Sequence, residues 1–196
     1  MPAERLEVVD GVEIDYSSNE LRDVLLGIVQ GNGNFLERVL GHLQLSGSPE
    51  LDELKPLVRR AISRRLHRHY RGFASGQLKE WEKTGGRTAK KLLYVLRTTL
   101  TGAHALRTGE IATDLSQHLD TFGFSEAREL IEQKQRGELA ELPDGLIERW
   151  RSQVGRAFEL LDAALQSSAL PDEASNVDEL DAWLVEVRRK NLAAWR

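Results

Sequence analysis

The fold is decided by residues 88–109, which read TAKKLLYVLRTTLTGAHALRTG. Apolar residues recur in this stretch at the three- and four-residue spacing of one buried helix face. This face consists of Leu92, Leu93, Leu96, Leu100, Ala103 and Leu106. The pattern predicts a long helix over residues 88–107, bounded before it by the glycines of Thr84-Gly85-Gly86-Arg87.

A polar stripe runs along the other side of this predicted helix. It consists of Lys90, Tyr94, Arg97, Thr101 and His104, at i, i+4, i+7, i+11 and i+14. Two cations about two turns apart, with a phenol between them, can bind two phosphate oxygens and offer a ring for stacking. The stripe therefore suggests a pocket wall, although spacing alone favours an ordinary solvated helix face.

The remaining sequence predicts more helices behind a single β-hairpin. Residues 6–9 and 12–15 are short β-type runs around Asp10-Gly11, a dipeptide suited to a two-residue turn. Ser17-Ser18-Asn19-Glu20 has the form of a capping box. Further helices are predicted over about residues 35–40, 56–83, 114–119, 125–135 and 146–165, and after Asn176. The fold class is therefore mainly α, a helical bundle with a short N-terminal hairpin that either packs on helices or forms a sheet edge.

Charge is distributed unevenly along the 196 residues, whose formal net charge is −4. Residues 55–109 carry 14 Lys/Arg and 2 Asp/Glu, whereas residues 1–54 and 110–196 each have a formal charge of −8. A segment of charge +12 must pair with its acidic flanks on folding or face an anionic partner such as nucleotide or RNA. The sequence alone leaves both outcomes open.

Composition and motifs exclude several classes of protein. The absence of cysteine excludes disulfides and thiolate nucleophiles, so a bound metal would be a hard cation with oxygen ligands. No apolar run approaches the roughly 20 residues of a membrane helix, and we expect a cytoplasmic protein. Neither a P-loop nor a G-x-S-x-G or H-E-x-x-H motif occurs. Glu13 and Asp15 lie on one side of a predicted strand and are candidate magnesium ligands, although two exposed carboxylates would look the same.

Four blocks of sequence, taken in order, resemble a known family. They are EID…ELR…LL…QGNGN…LE over residues 13–37, HY-x-GFA-x-x-Q over residues 69–77, KLLY-x-x-R-x-x-LTG-x-H-x-x-RTGE over residues 91–110, and LI-x-x-K over residues 130–134. Together they resemble the predicted nucleotidyltransferases of the DNA polymerase β superfamily that are related to RNA-repair-associated bacterial members. The resemblance covers roughly residues 12 to 137.

This resemblance implies an N-terminal sheet that binds Mg²⁺ and a nucleoside triphosphate, followed by a helical part that completes the pocket. In that superfamily a Gly-Ser turn at a helix start holds the triphosphate, an Asp-x-Asp pair binds two metals, and a third carboxylate on a later strand helps to activate the attacking hydroxyl. The sequence departs from this pattern because Gly47-Ser48 is followed by Pro49 and no Asp-x-Asp occurs in the 196 residues. Asp15, with Glu13 as the alternative, matches the third carboxylate, which implies a catalytic and metal-binding role.

The same resemblance implies a set of nucleotide- or substrate-binding residues. Lys91, Tyr94 and Arg97 match a helix that forms a pocket wall in such enzymes, and His104 belongs to the same block. Tyr70 and Gln77 match the preceding basic helix. Residues 1–16 are then expected to be the remnant of the catalytic sheet, and residues 17–196 a helical domain, family-like over 17–137 and followed by C-terminal helices over 138–196.

The expected function is that of the C-terminal helical part of a nucleotidyltransferase, inactive as this chain alone. In the complete enzyme, a longer gene product or a partner chain would supply the sheet, and nucleotidyl transfer would go to RNA or a small acceptor. The alternatives are a non-catalytic module that binds RNA or nucleotide, and a structural subunit. We also expect Arg97→Ala and Lys91→Ala to weaken anion binding while changing stability by less than about 0.5 kcal/mol.

Overall fold

The computed structural model describes residues 4–9, 11–137 and 141–194. The strands are β1 (Glu4–Val9) and β2 (Val12–Ser17), and the helices in chain order are α1 (Leu21–Val29), α2 (Gly33–Leu40), α3 (Pro49–Arg60), α4 (Leu66–Lys83), α5 (Ala89–Thr108), α6 (Leu115–Leu119), α7 (Arg128–Arg136), α8 (Asp144–Ser167) and α9 (Val177–Ala194). The predicted mainly α class is confirmed. Within these ranges, no helix has the length and apolar character needed to cross a bilayer.

Helix α5, the predicted long helix, lies at the centre of the bundle and contacts α4, α6, α7 and α8. Its predicted apolar face is buried, except that Leu93 stays partly exposed. Gly109 ends the helix with a φ of 74°, in the left-handed region that glycine adopts without strain. Because α5 is packed on several sides, the neighbouring helices determine which part of its polar side is exposed to solvent.

Close packing around Tyr70 fixes the relative position of three helices. Tyr70 of α4 is 1% exposed and lies between α2 and α5. A Cβ added at Gly102 of α5 would lie 2.8 Å from Cγ of Tyr70, and one added at Gly33 of α2 would lie 2.7 Å from Cζ. Glycine is required at both positions because real Cβ atoms do not approach other heavy atoms so closely.

The predicted hairpin is confirmed, with β1 and β2 antiparallel in a register that pairs Glu4 with Ser17 and Val9 with Val12. This register leaves a two-residue turn, and Gly11 has a φ of 79°. Apolar side chains on both faces of the ribbon are exposed, namely Leu6, Val8, Ile14 and Tyr16. The hairpin is therefore not buried against the helical body, and its faces are open.

Two local predictions were wrong. Ser17 does not cap α1, because its pairing with Glu4 extends β2, and Glu20 caps the helix instead by accepting from the Asp23 amide at 3.3 Å. The single helix predicted over residues 56–83 is interrupted between α3 and α4. There the Arg64 amide donates to the Pro171 carbonyl at 2.8 Å, so a tertiary hydrogen bond replaces a helical one.

The arginines around the start of α4 pair with the acidic C-terminal region. Arg71 donates to Asp162 at 2.9 Å, Arg64 donates to Asp172 at 3.1 Å, and His67 lies 2.8 Å from Asp162. Arg60 and Arg65 pair with Glu179 and Glu173. Internal pairing therefore accounts for much of the +12 segment.

The packing at Gly102 is tested by comparing it with Gly72, an open position in the interior of α4. Gly72→Ala is expected to raise the free energy of unfolding by about 0.5–1 kcal/mol, because alanine favours helix and a Cβ there meets nothing within 4 Å. Gly102→Ala is expected to lower it by about 1–3 kcal/mol through overpacking against Tyr70. Urea denaturation monitored by tryptophan fluorescence measures both, and equal changes of one sign would contradict the packing described.

Candidate functional site

The first half of α5 lines an open cavity of about 540 Å³, called here the α5 cleft. Helix α5 contributes Lys90, Leu93, Tyr94 and Arg97, whose i, i+3, i+4, i+7 spacing places them on one face. The opposite walls come from the start of α6 and from α7, through Asp114, Leu115, Ser116, Ile131 and Lys134. Three cationic side chains and one carboxylate therefore surround the cavity.

An aromatic ring is available inside the α5 cleft. Tyr94 is 41% exposed, and the Arg97 guanidinium lies 6.0 Å from the centroid of its ring. Leu93 and Ile131, both partly buried against the core, supply apolar wall beside it. The cleft can thus accept a flat apolar group and an attached anion at the same time.

Asp114, the carboxylate of the cleft, is engaged in capping α6. It accepts from the Ser116 amide at 3.0 Å and from the Ser116 hydroxyl at 2.5 Å. The hydroxyl bond is the main reason why the pKa of Asp114 lies below its ordinary value. The carboxylate is therefore ionised near neutral pH and tied to its own helix start.

Arg97 is held in place by a network that begins in the core. The Tyr70 hydroxyl donates to Glu37 Oε1 at 3.1 Å, and Arg97 Nη1 donates to Glu37 Oε2 at 2.9 Å. The Arg97 and Glu37 side chains are 30% and 16% exposed. Because Glu37 takes one N–H group, the guanidinium keeps further donors on a fixed planar fork.

Four of the six predicted binding residues, Tyr70 and Lys91 among them, do not line the cleft. Tyr70 is buried in the core, and its link to the cleft is the hydrogen bond that its hydroxyl donates to Glu37, the partner of Arg97. Lys91 points toward α4, where its Nζ lies 3.8 Å from Glu80 Oε2 and 3.4 Å from the Glu80 carbonyl oxygen. The neighbouring Lys90, which belongs to the polar stripe, lines the cleft instead.

The polar stripe of α5 does not stay in the cleft along its whole length. Thr101 is fully buried, and the His104 ring lies 4.8 Å from that of His118 in α6. Burial, and then His118, lower the pKa of His104 below its ordinary value of 6.5. Gln77 lies elsewhere, in a shallow depression of about 590 Å³ on α4 beside His69 and Phe73.

The predicted metal ligands sit on the hairpin, apart from the residues that line the cleft. Glu13 is exposed on β2, opposite Val8, and the side chain of Asp15 lies outside the described residues. Across residues 4–9, 11–137 and 141–194, no group of three or more His, Asp or Glu side chains could hold a metal ion. The described residues therefore do not form a magnesium site by themselves.

Several cleft residues were not among the predicted site residues. Glu37, which lies on α2 and pairs with Arg97, was not assigned to the site. Among the residues that line the cleft, Lys134 occurs in a family-like block without being assigned to binding, and Asp114 and Ser116 carried no signal beyond that of a helix cap. Contacts of α5 with α6 and α7 bring these side chains to the α5 surface. Sequence spacing within one helix cannot reveal such neighbours.

Residues 5–186 match the model of the family described as the RNA repair pathway DNA polymerase beta family. The chain belongs to this family. It is also 29% identical, over 178 residues, to the uncharacterized protein MJ0002 of Methanocaldococcus jannaschii, covering 90% of this chain and 72% of that relative. No solved structure gives a significant match. The resemblance drawn from residues 12 to 137 is thus confirmed at the level of the family, and the chain is a nucleotidyltransferase-related protein.

The ion pair changes the stability expected for Arg97→Ala. Removing the guanidinium leaves the largely buried Glu37 carboxylate without its cation, so we expect a loss of about 1–3 kcal/mol in the free energy of unfolding. Lys91→Ala breaks a looser and more exposed contact, and the expected change is below about 0.5 kcal/mol. Urea denaturation distinguishes the two variants. Combining Glu37→Gln with Arg97→Ala should cost less than the sum of the single changes.

The buried phenol predicts a specific loss of stability at alkaline pH. Burial, and then the Glu37 carboxylate, raise the pKa of Tyr70 well above its ordinary value of 10.0. As the pH rises past about 10, Tyr70 ionises in the unfolded chain but stays protonated in the folded one, so the free energy of unfolding falls. Denaturation curves of Tyr70→Phe should show a smaller fall over this range, and an identical fall would contradict the assignment.

Proposed function

We propose that this chain is the helical, nucleotide-binding part of a nucleotidyltransferase that acts on RNA or a small acceptor. Family membership supports nucleotidyl transfer as the chemistry of the complete enzyme. The observation that carries nucleotide binding by this chain is the exposed Tyr94 ring in a cavity also lined by Lys90, Arg97 and Lys134. An aromatic face surrounded by cations suits a base with attached phosphate.

The proposed binding mode follows from the chemistry of the cleft walls. A base stacked on Tyr94 gains about 1–3 kcal/mol, and Leu93 and Ile131 exclude water from its edge. Arg97, oriented by Glu37, donates to the phosphate next to the sugar. Lys134 is exposed at the rim and supplies long-range attraction that weakens as salt concentration rises.

We propose that transfer itself needs carboxylates from outside these 196 residues. Two-metal transfer requires carboxylates that bridge both ions, and Glu13 and Asp15 lie on one strand in a sequence without Asp-x-Asp. A longer gene product or a partner chain would add strands to the hairpin, and Mg²⁺ would be held there. The exposed Leu6, Val8 and Ile14 support such an addition, because a lone two-stranded ribbon is marginally stable.

Nucleotide binding in the cleft is tested by Tyr94→Leu against the matched variant Tyr16→Leu. Both tyrosines are exposed, but Tyr16 lies on the hairpin, so only Tyr94→Leu should weaken binding of a nucleoside monophosphate, by about tenfold. Isothermal titration calorimetry in the presence of EDTA measures this affinity without any metal-dependent step.

Equal affinities of the two variants would overturn binding in the cleft.

The proposed inactivity of the chain alone is tested by incubating the wild-type chain with labelled nucleoside triphosphate, RNA and Mg²⁺. Transfer of the label to the RNA by this chain alone would overturn the proposed inactivity. If the chain instead binds RNA with an affinity that falls as salt concentration rises but is the same in wild type and Tyr94→Leu, a non-catalytic RNA-binding module is favoured.

A further inference from the structure

A second open cavity, of about 420 Å³, adjoins the α5 cleft across Arg97 and is called here the α2 lobe. Arg97 lines both cavities. The segment before α6 also borders both, since Thr113 lines the α2 lobe and Asp114 lines the α5 cleft. The two cavities are therefore neighbouring parts of one surface, and a ligand long enough can extend from one into the other.

One face of helix α2 forms the wall of this lobe. Asn34, Glu37, Arg38 and Gly41 line it at i, i+3, i+4 and i+7, the same spacing by which α5 lines its own cleft. Gly41, directly after the last residue of α2, contributes backbone alone to this wall. The two helix faces meet where Glu37 accepts from Arg97.

Arg38 is the cation of α2 in this lobe, and it is exposed. In the part of the chain that the structure describes, it makes no ion pair, and its guanidinium lies 5.9 Å from the centroid of the Phe35 ring. Glu37, the carboxylate of the lobe, already accepts from Tyr70 and Arg97. The donors of Arg38 are thus available to an anion, while the carboxylate that lines the lobe is compensated by Arg97.

The two cavities differ in chemistry. The α5 cleft offers the Tyr94 ring and apolar walls, whereas the described residues that line the α2 lobe include no aromatic ring. The lobe instead offers the Arg38 guanidinium and the exposed Asn34 amide, both donors suited to phosphate oxygens. A base therefore fits the first cavity and anionic groups fit the second.

We propose that the α2 lobe is a phosphate subsite, in which Arg38 and Asn34 bind the phosphate groups beyond the first phosphate of a nucleotide whose base stacks on Tyr94. This inference rests on the proposed nucleotide binding in the α5 cleft. Arg97 lies at the junction and binds the first phosphate. The further phosphates belong to a nucleoside triphosphate or to the backbone of a single-stranded RNA end, which present the same chemistry to an arginine.

The test compares three ligands on the full chain by calorimetry in EDTA: a nucleoside monophosphate, the matching triphosphate, and a dinucleotide with a 5′-phosphate. Arg38→Gln is expected to leave the affinity for the monophosphate unchanged and to weaken binding of a ligand that reaches the lobe by about tenfold. Arg189→Gln, an equal change of charge on an exposed position of α9 that lines neither cavity, is the matched control and is expected to have no effect.

The pattern of affinity losses in Arg38→Gln identifies what occupies the α2 lobe. A loss confined to the triphosphate identifies a polyphosphate as the occupant, a loss confined to the dinucleotide identifies an RNA backbone, and a loss for both supports the shared subsite. Unchanged affinity for both long ligands, or an equal loss in Arg189→Gln, overturns the inference while leaving the α5 cleft intact. Failure of the wild-type chain to bind the monophosphate would instead remove the proposed function.

Discussion

The burial of a single phenol between two glycines constrains the geometry of the whole cleft. Tyr70 can lie between α2 and α5 because Gly33 and Gly102 present no side chain to it. Its hydroxyl then needs a partner, since an unsatisfied polar group in the core is costly, and Glu37 provides one. The second oxygen of Glu37 is thereby placed where Arg97 reaches it. The orientation of a surface guanidinium thus follows from helix packing.

The basic middle of the sequence is divided between two roles. The arginines at the end of α3, in the break that follows it and in the second turn of α4 bind the acidic loop and helices near the C-terminus, which attaches those elements to the bundle. Lys90 and Arg97, which line the cavities, also belong to this segment, whereas the other lining cations, Arg38 and Lys134, come from the acidic flanks. The total charge of a segment is therefore a poor measure of an anion site, because much of that charge is paired within the fold.

The features that were predictable are those determined within one helix. The apolar period of α5 extends over about five turns, so its existence and buried face followed from spacing alone. The helical spacing also put Lys90 on the same face as Tyr94 and Arg97, and the structure has it line the cleft. The family resemblance instead suggested Lys91 as a binding residue, but Lys91 faces Glu80 of α4. Adjacent helical residues point in directions about 100° apart, which decides between them.

What could not be predicted depends on contacts distant in sequence. In the break between α3 and α4 the amide of Arg64 donates to the Pro171 carbonyl, and in the last turn of α3 the Leu57 carbonyl accepts from the Asn176 side chain. Likewise, Lys134 belongs to the cleft only because α7 packs on α5. Sequence periodicity predicts which residues share one face of a helix, but tertiary packing determines which other helices that face contacts.

The sharing of Arg97 between core and cleft has a thermodynamic consequence. An anion bound there contacts a side chain whose other partner, Glu37, is bonded to the buried phenol, and this arrangement exists only in the folded chain. Any ligand that requires it shifts the folding equilibrium by mass action, by about 2.7 kcal/mol at a hundredfold excess over its dissociation constant. Resistance to heat would then report occupancy directly, so candidate substrates could be ranked by melting temperature before any chemistry is assayed.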